Sequence, residues 1–310
     1  MAGHNSGLSP NVVKTALDLV FDATFSKNQL YTADATDSLL LMQDSTDKAA
    51  IITEQFMGSG YWDARAEQAD VAAGTVRVGN QKAFSVTNYA KSIDISKNLF
   101  DDDQHGTYEM MVKNMARNAR LTRDKNAFAL YSGGFATYTT NDGANIFSAS
   151  HTTLNGDIVS NLATATLADT SIEAGIVALV EQKTQDGTLG GHEPAFLFVP
   201  PALFKEACIL TKSELRPSTA NNDLNYVSMI YPGLVIKQSP FIGAAYGGSD
   251  TAWFLGSAEH SMMRWVRQDI TKDLVPYQNQ RNNNYVYKGE FREVVGAVSF
   301  EGLYGSTGTV

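Results

Sequence analysis

The chain of 310 residues has a single cysteine, Cys208. That excludes an intramolecular disulfide and any multi-thiolate zinc site. Within ALFKEACIL the thiol reads as a small buried apolar residue of a helix. Charge is scarce as well: Asp, Glu, Lys and Arg make up 18% of the residues, below the usual quarter, and surface left uncharged is commonly covered by a partner. Positive charge is the sign in deficit. With 24 basic against 33 acidic residues the formal net charge is -9, which disfavours a tight, sequence-specific reader of nucleic acid. No eighteen apolar residues run together, so no membrane span is expected. The start MAGHNSGLSPNVVK lacks the basic opening and apolar stretch of a signal peptide, and a soluble protein made in a cytoplasm is expected. Catalytic signatures are missing too: there is no HExxH, no GxSxG, no GxxxxGK[ST], and no GxGxxG following a strand. GSGYW at 58–62 and YGGSD at 246–250 are turn glycines without the lysine or helix of a phosphate cradle.

What the chain does have is a core. It is 43% hydrophobic and 10% aromatic, enough for one large or two medium domains. Residues 1–8 read as a polar tail. SPNVVKTALDLVFDATFSKNQL predicts a helix with Ser9 as N-cap and Pro10 at the first helical position. Two strand-like arms, Ile51 to Met57 and Lys82 to Ile95, flank a middle rich in Gly, Ala, Asp and Gln. That middle cannot form a core, and a long two-stranded excursion is marginal alone, so it must lie on something else. Gln104 to Tyr131 is the strongest helix. Tyr108, Met111, Val112, Met115 and Ala119 recur at helical spacing on one face, with Lys113, Arg117 and Arg120 opposite. Gly133 and Gly134 end it.

Further on, Ser171 to Gln185 predicts a helix closed by Asp186-Gly187, and Ala195 to Val199 a buried strand before Pro200-Pro201 opens another helix. GLVIKQSPF, AWFLGS, SMMRWVRQ and YVYKGEFREVVGAVSFEGLY read as strands, the last two segments separated by the polar run QNQRNNN. Helices and strands are interspersed without a βαβ rhythm, so the fold class is α+β.

The stretch LFDDDQHGTY crowds Asp101, Asp102, Asp103 and His105 together. Asp101, Asp103 and His105 as cation ligands would make a metal-dependent enzyme. A calcium loop, however, is longer, carries its turn glycine elsewhere than Gly106, and closes with a bidentate Glu. The aspartates are expected instead to cap and begin the long helix, where their charge suits the dipole. His4, His151, His192 and His260 have no second histidine at helical spacing, and His151 and His192 are expected in surface or structural roles in loops. The stripe Lys113, Arg117, Arg120 reads as a solvated face, with loose contact to a polyanion as the sharper alternative. Tyr61, Trp62, Trp253 and Trp265 are core residues or contact anchors.

The order of these elements, with SKNLFDDD running into the long helix, resembles the major capsid proteins of tailed bacteriophages, the Hong Kong 97-type fold. NDGANIFSASHTTLNG, FLFVPPALFKEA and PYQNQRNNNYVYKGEFREVVGAV resemble the Mu-like head-subunit branch; the N-terminal third does not carry that branch's signatures. The resemblance implies an N-terminal arm at 1–49 and an extended loop at 50–91 that lies over a neighbouring subunit through Tyr61, Trp62, Arg65, Arg77 and Lys82. It implies a peripheral domain at 92–165 and 282–310 containing the spine helix 104–131, and an axial domain at 166–281 around the hexamer or pentamer axis. It further implies a shell made by self-assembly, in the cytoplasm of a bacterial host, around double-stranded DNA touched weakly by Lys113, Arg117 and Arg120. Portal, scaffold or decoration proteins are the expected partners, with no membrane and no cofactor. Some relatives crosslink a loop lysine to a neighbour's asparagine; Lys82 and Asn282 to Asn284 correspond, but asparagine runs are common and no crosslink is expected. The same fold in a bacterial encapsulin-type nanocompartment enclosing cargo enzymes is the alternative reading, and a metal-dependent enzyme the remote one.

Overall fold

Helix α1 (Pro10–Phe25) begins on the expected proline. The computed structural model describes residues 10–25, 33–71, 73–74, 76–96, 106–216, 223–276 and 285–309, so Ser9 and the 1–8 tail lie outside the described residues. α1 turns Leu17 and Phe21 inward, where they meet Ile95, Val112, Met115, Ala116 and Tyr287.

Helix α2 (Thr107–Ser132) has 26 residues, a rod of about 39 Å at 1.5 Å per residue. Its apolar stripe behaves as the spacing predicts: Val112, Met115 and Ala116 are buried, while Lys113 and Arg117 face outward. The N-cap is Gly106 in the left-handed region (φ 68°), with no side-chain cap bond, and Asp101, Asp102, Asp103 and His105 lie outside the described residues. Glu109 is the acid in the first turn, where it meets the positive end of the helix dipole. At the other end Gly133 donates to Ala129 O at 2.9 Å, but with φ of -92° it does not make the left-handed stop expected of Gly133 and Gly134.

Two sheets share this helix. The first has the order β1 (Met42–Ser45), β11 (Met262–Pro276), β12 (Tyr285–Ala297), β4 (Thr87–Ile95), with β1 parallel to β11 and the other pairs antiparallel. Along β12, Tyr287, Gly289, Phe291 and Glu293 are buried at alternate positions, the period of a strand with one face inward. The second has the order β7 (Leu162–Ala163), β13 (Leu303–Ser306), β10 (Trp253–Ser257), β8 (Pro194–Val199), β9 (Val235–Gln238). The apolar run AFLFV in β8 is explained by burial on both faces. Phe196 and Phe198 join Phe128, Tyr131, Phe147 and Phe254 in one core. Leu197 and Val199 join Trp253 and Leu255 in the other, under α3 (Asp169–Val180) and α4 (Pro201–Lys212). Cys208, expected buried, is only half-buried on α4.

Two expectations change. Residues 33–41, read as part of a thin arm, reach into the core: Ala33, Ala35, Leu40 and Leu41 are at most 2% exposed. Ala35 N donates to Asp124 Oδ1 at 2.8 Å and Tyr131 Oη to Leu40 O at 2.8 Å. The segment is short and turn-rich, so its anchors sit on α2, far away in sequence. Strand β11 pairs with β12 in the first sheet while β13 returns to the second. Strand periodicity gives faces, not partners. Finally α3 stops at Val180, five residues early. The Gln182 side chain turns inward to accept from Gly302 N at 2.8 Å, which a continuing helix would forbid.

A buried charge cluster ties α2 to the first sheet. Arg264 donates to Glu293 Oε2 through Nη2 at 2.6 Å and Nε at 2.9 Å, and through Nη1 to Gln43 Oε1 at 2.7 Å. Arg123 of α2 pairs with Asp269 at 2.5 Å and lies 3.7 Å from the same Glu293 oxygen. Its guanidinium carbon sits 4.8 Å from the Phe291 ring centroid.

Candidate functional site

The two strand-like arms form a hairpin, β2 (Ala50–Met57) against β3 (Arg77–Ser85), as a separate two-stranded sheet. The second arm is not one strand, however. Ser85 pairs with Ala50, Thr87 pairs with Glu293 in the first sheet, and the chain changes sheets at Val86. Phe84 fixes that corner, buried 5.2 Å from the Trp265 ring. Alternation gives the hairpin two different faces. Thr53, Gln55, Lys82 and Phe84 point toward the rest of the chain. Ile52, Phe56 and Val78 point away and are 65%, 62% and 57% exposed. At the tip Trp62 is 94% exposed.

Under the inner face lie three turns of one design, Thr140-Asn141-Asp142-Gly143, Thr153-Leu154-Asn155-Gly156 and Thr184-Gln185-Asp186-Gly187. In each the glycine N–H donates to the threonine carbonyl at 3.0–3.1 Å, and the threonine N–H donates to the carbonyl four residues on at 2.8–2.9 Å. The glycines have φ of 85°, 94° and 80°, a conformation that only glycine adopts freely in such three-residue hairpin loops. The turns are tied to one another. His151, fully buried, places Nδ1 2.7 Å from Asp142 Oδ2 and Nε2 3.1 Å from Asn161 Oδ1, with its ring stacked 4.4 Å from Phe300. Asn161 Oδ1 already accepts from Ser148 N while its amide donates to Ile146 O. Both imidazole nitrogens therefore face acceptors. Burial pushes the Asp142 carboxyl up, but hydrogen bonds from His151 and Thr140 outweigh it and hold it below the usual range. Asn155 N donates to Gln185 O at 3.1 Å, and Lys183 pairs with Asp157 at 3.2 Å, linking the second and third turns.

The hairpin rests on all three. Lys82 Nζ donates to Thr139 O at 2.5 Å and Thr139 Oγ1 at 2.9 Å, and Thr53 Oγ1 donates to Asn141 Oδ1 at 3.1 Å. Gly79 lies so close to Leu154 that an added Cβ would fall 2.5 Å from a leucine methyl. At the tip Gly60 N–H donates to the Asp186 carboxylate, and Leu189 N donates to Tyr61 Oη at 3.0 Å. The Thr184 and Thr188 hydroxyls hold the Asp186 carboxyl down at about 2. Desolvation lowers the Lys82 ammonium below its ordinary value, against the pull of Asp142.

A family model described as phage capsid protein matches residues 79–306. The chain belongs to the phage capsid protein family. No curated protein sequence matches it. Solved structures with the same fold include the mature capsid of bacteriophage PhiM1 (TM-score 0.57, 13% identity, covering 91% of this chain and 88% of that one). The capsid of Myoviridae phage XM1 gives 0.53 at 13% identity, covering 91% and 94%. A virus-like particle from Pyrococcus furiosus gives 0.55 at 9%, covering 95% and 99%. The capsid protein therefore has the Hong Kong 97-type fold read from its element order. It is a major capsid shell protein, a structural subunit of a virion that assembles with copies of itself.

The remaining expected sites of the capsid protein are scattered. Lys113 pairs with Glu109 at 2.5 Å, Arg117 is exposed, and Arg120 acts electrostatically on Asp124, so the stripe follows the outer side of α2. Arg65 donates to Ala69 O at 2.5 Å within the loop, and Arg77 opposes Met57 at the end of the ladder. Lys82 is engaged by its own chain, and Asn282 to Asn284 lie outside the described residues. Trp253 and Trp265 are core, whereas Tyr61 and Trp62 are at the tip. His151 is not on the surface, because its two nitrogens are enclosed by Asp142 and Asn161. The three-turn platform was missed, although Thr-x-(Asp/Asn)-Gly at 140, 153 and 184 is visible in the sequence. A cleft of about 640 Å³ between α2 and β4–β12 is lined by Asn114, Asn118, Met111, Met115 and Phe291, with Tyr89 and Lys91 as its titratable groups. Among the described residues no three His, Cys, Asp or Glu side chains gather to hold a metal, and no helix is long and apolar enough to cross a membrane.

Proposed function

We propose that the capsid protein forms hexamers and pentamers of an icosahedral head around double-stranded DNA, with the β2–β3 hairpin lying over a neighbouring subunit. The observation that carries this is the hairpin's outer face: Ile52, Phe56 and Val78, with Trp62 beyond them, are exposed on a two-stranded sheet. An apolar face on an excursion with no core of its own is a contact surface. In this reading the first sheet with α2 is the peripheral part, α2 the spine helix, and the second sheet with α3 and α4 the axial part around the capsomer axis. Lys113, Arg117 and Arg120 face the lumen and touch DNA loosely. Assembly takes place in the cytoplasm of a bacterial host, with portal, scaffold or decoration proteins as further partners. The signatures from Asn141 onward support the Mu-like branch.

The test is deletion of residues 60–80. The variant is expected to be soluble and unable to form shells, as seen by electron microscopy after size-exclusion chromatography. Intact shells from that variant would overturn the loop assignment. A nanocompartment filled with cargo enzymes is the second reading, supported only by the shared fold; protein rather than DNA inside purified particles would favour it.

A further inference from the structure

We propose that the three Thr-x-(Asp/Asn)-Gly turns are a bracket that fixes the β2–β3 hairpin before assembly, so that its apolar face is presented to a second copy of this chain at a set angle. The inference rests on the reading that the hairpin meets a neighbour, and adds how its position is determined.

Three features carry it. First, seat and partner use opposite faces. The bracket takes Thr53, Lys82 and Gly79, and Ile52, Phe56 and Val78 stay exposed while it is engaged. A latch that had to open would bury the apolar face, and this arrangement does not. Second, the contacts run the length of the hairpin. Thr139 and Asn141 hold the base, Leu154 the middle, and Asp186 with Leu189 the tip. Strand β2 has eight residues, roughly 27 Å at 3.4 Å per residue. Support spaced over that distance fixes an angle, whereas support at the base alone leaves a hinge. Third, the turns are braced by one another through His151–Asp142, Gln185–Asn155 and Lys183–Asp157, so they form one support.

The physical gain is preorganisation. The tip from Gly58 to Val71 buries almost nothing, and ordering such a segment costs on the order of 1 kcal/mol per residue. If it were mobile in the free subunit, that cost would fall on every inter-subunit contact. With Gly60 and Tyr61 already held by Asp186 and Leu189, more of the contact energy goes into joining subunits. A fixed angle also limits the curvatures a neighbour can adopt.

The test uses the full chain as a dissociated subunit, followed by hydrogen exchange in peptides covering 50–62 and 76–85, with the β8 peptide as an internal control. Asp186→Ala removes the acceptor for Gly60 N–H. Gly79→Val pushes the hairpin off Leu154 without substituting any turn residue, and so covers the case in which D186A unfolds its own loop. In each variant, hairpin exchange is expected to rise about tenfold or more with β8 unchanged, and assembly followed by light scattering to slow, giving particles of uneven size. Unchanged hairpin exchange in both variants overturns the bracket. So does a loosened hairpin that assembles into uniform shells at the parental rate. If both variants assemble normally while the 60–80 deletion forms no shells, the bracket fails and the hairpin contact stands. If the deletion also forms shells, the contact itself is wrong.

Discussion

Replacing Glu293 by Gln tests how the spine of the fold is held. The carboxylate is 2% exposed, Arg264 and Arg123 are each 5% exposed, and both guanidiniums address one oxygen, Oε2, at 2.6–3.7 Å. The amide keeps the shape and one acceptor but removes the charge between two buried cations. Breaking a buried ion pair by removing one partner costs about 3–5 kcal/mol, because the other charge is left uncompensated. The lower end applies here. Asp269 still pairs with Arg123 at 2.5 Å, although at 77% exposure it offsets little of the Arg264 charge. Gln43 remains as an acceptor for Arg264. A loss of about 3 kcal/mol in a chain of 310 residues corresponds to a drop of roughly 5 °C in Tm. Thermal unfolding of dissociated subunits measures it. The double variant Arg264→Met/Glu293→Leu removes both charges and leaves none stranded beside the other, so it is expected to lose less than Glu293→Gln alone. A Glu293→Gln protein within about 2 °C of the parent, or a double variant worse than the single, would refute the account.

Burial pushes the Asp124 carboxyl up to about 6, so the native state takes up its proton more readily than the unfolded chain, and stability falls as pH rises from about 4 to 6. Asp124→Asn should flatten that part of the Tm-against-pH curve while keeping the bond to Ala35 N; parallel curves would count against it. The Asp142 carboxyl is held low, so its contribution is complete above about pH 4 and disappears as pH falls through its lowered native value. His151→Ala should cost about 1.5–3 kcal/mol in urea unfolding by taking a hydrogen bond from that buried carboxylate, and a cost under 1 kcal/mol would refute the role of the contact. Neutralising Lys113, Arg117 and Arg120 together should leave shells intact and lower their DNA content by absorbance, an idea that equal DNA content would end.

Elements announced by local chemistry were legible in the sequence. Pro10 and Pro201 mark helix starts where the backbone rules require them. The apolar stripe of α2 and the run AFLFV gave the right elements and the right burial. Partnership was not legible. Nothing in LVIKQ or MMRWV tells which sheet each strand joins, nor that β11 and β13 belong to different sheets. Residues 33–45 lacked periodicity because their anchors, Asp124, Tyr131 and His260, lie 89 to 221 residues away. The platform was written plainly as three copies of one turn motif. Each alone reads only as a loop, and its role arises from Leu154, Asp186 and Asn141 meeting the same hairpin.

The hairpin's outer face also sets the kind of assembly the chain can make. Ile52, Phe56 and Val78 expose between 57% and 65% of their surface, and full burial of such side chains stabilises by about 1.5–3 kcal/mol each. Covering all three therefore supplies roughly 3–6 kcal/mol. Joining two proteins costs an estimated 4–15 kcal/mol in lost translational and rotational freedom. One such contact does not sustain a dimer, even with the tip ordered in advance. In a closed ring or shell each added subunit makes several contacts for one loss of freedom, so the balance turns only when contacts act together. The chain is thus expected to pass from monomer to large closed particles over a narrow concentration range, without a stable dimer between. Weakness of the single contact also lets wrongly placed subunits leave before the shell closes, and a bracketed hairpin keeps the contact weak without leaving it vague.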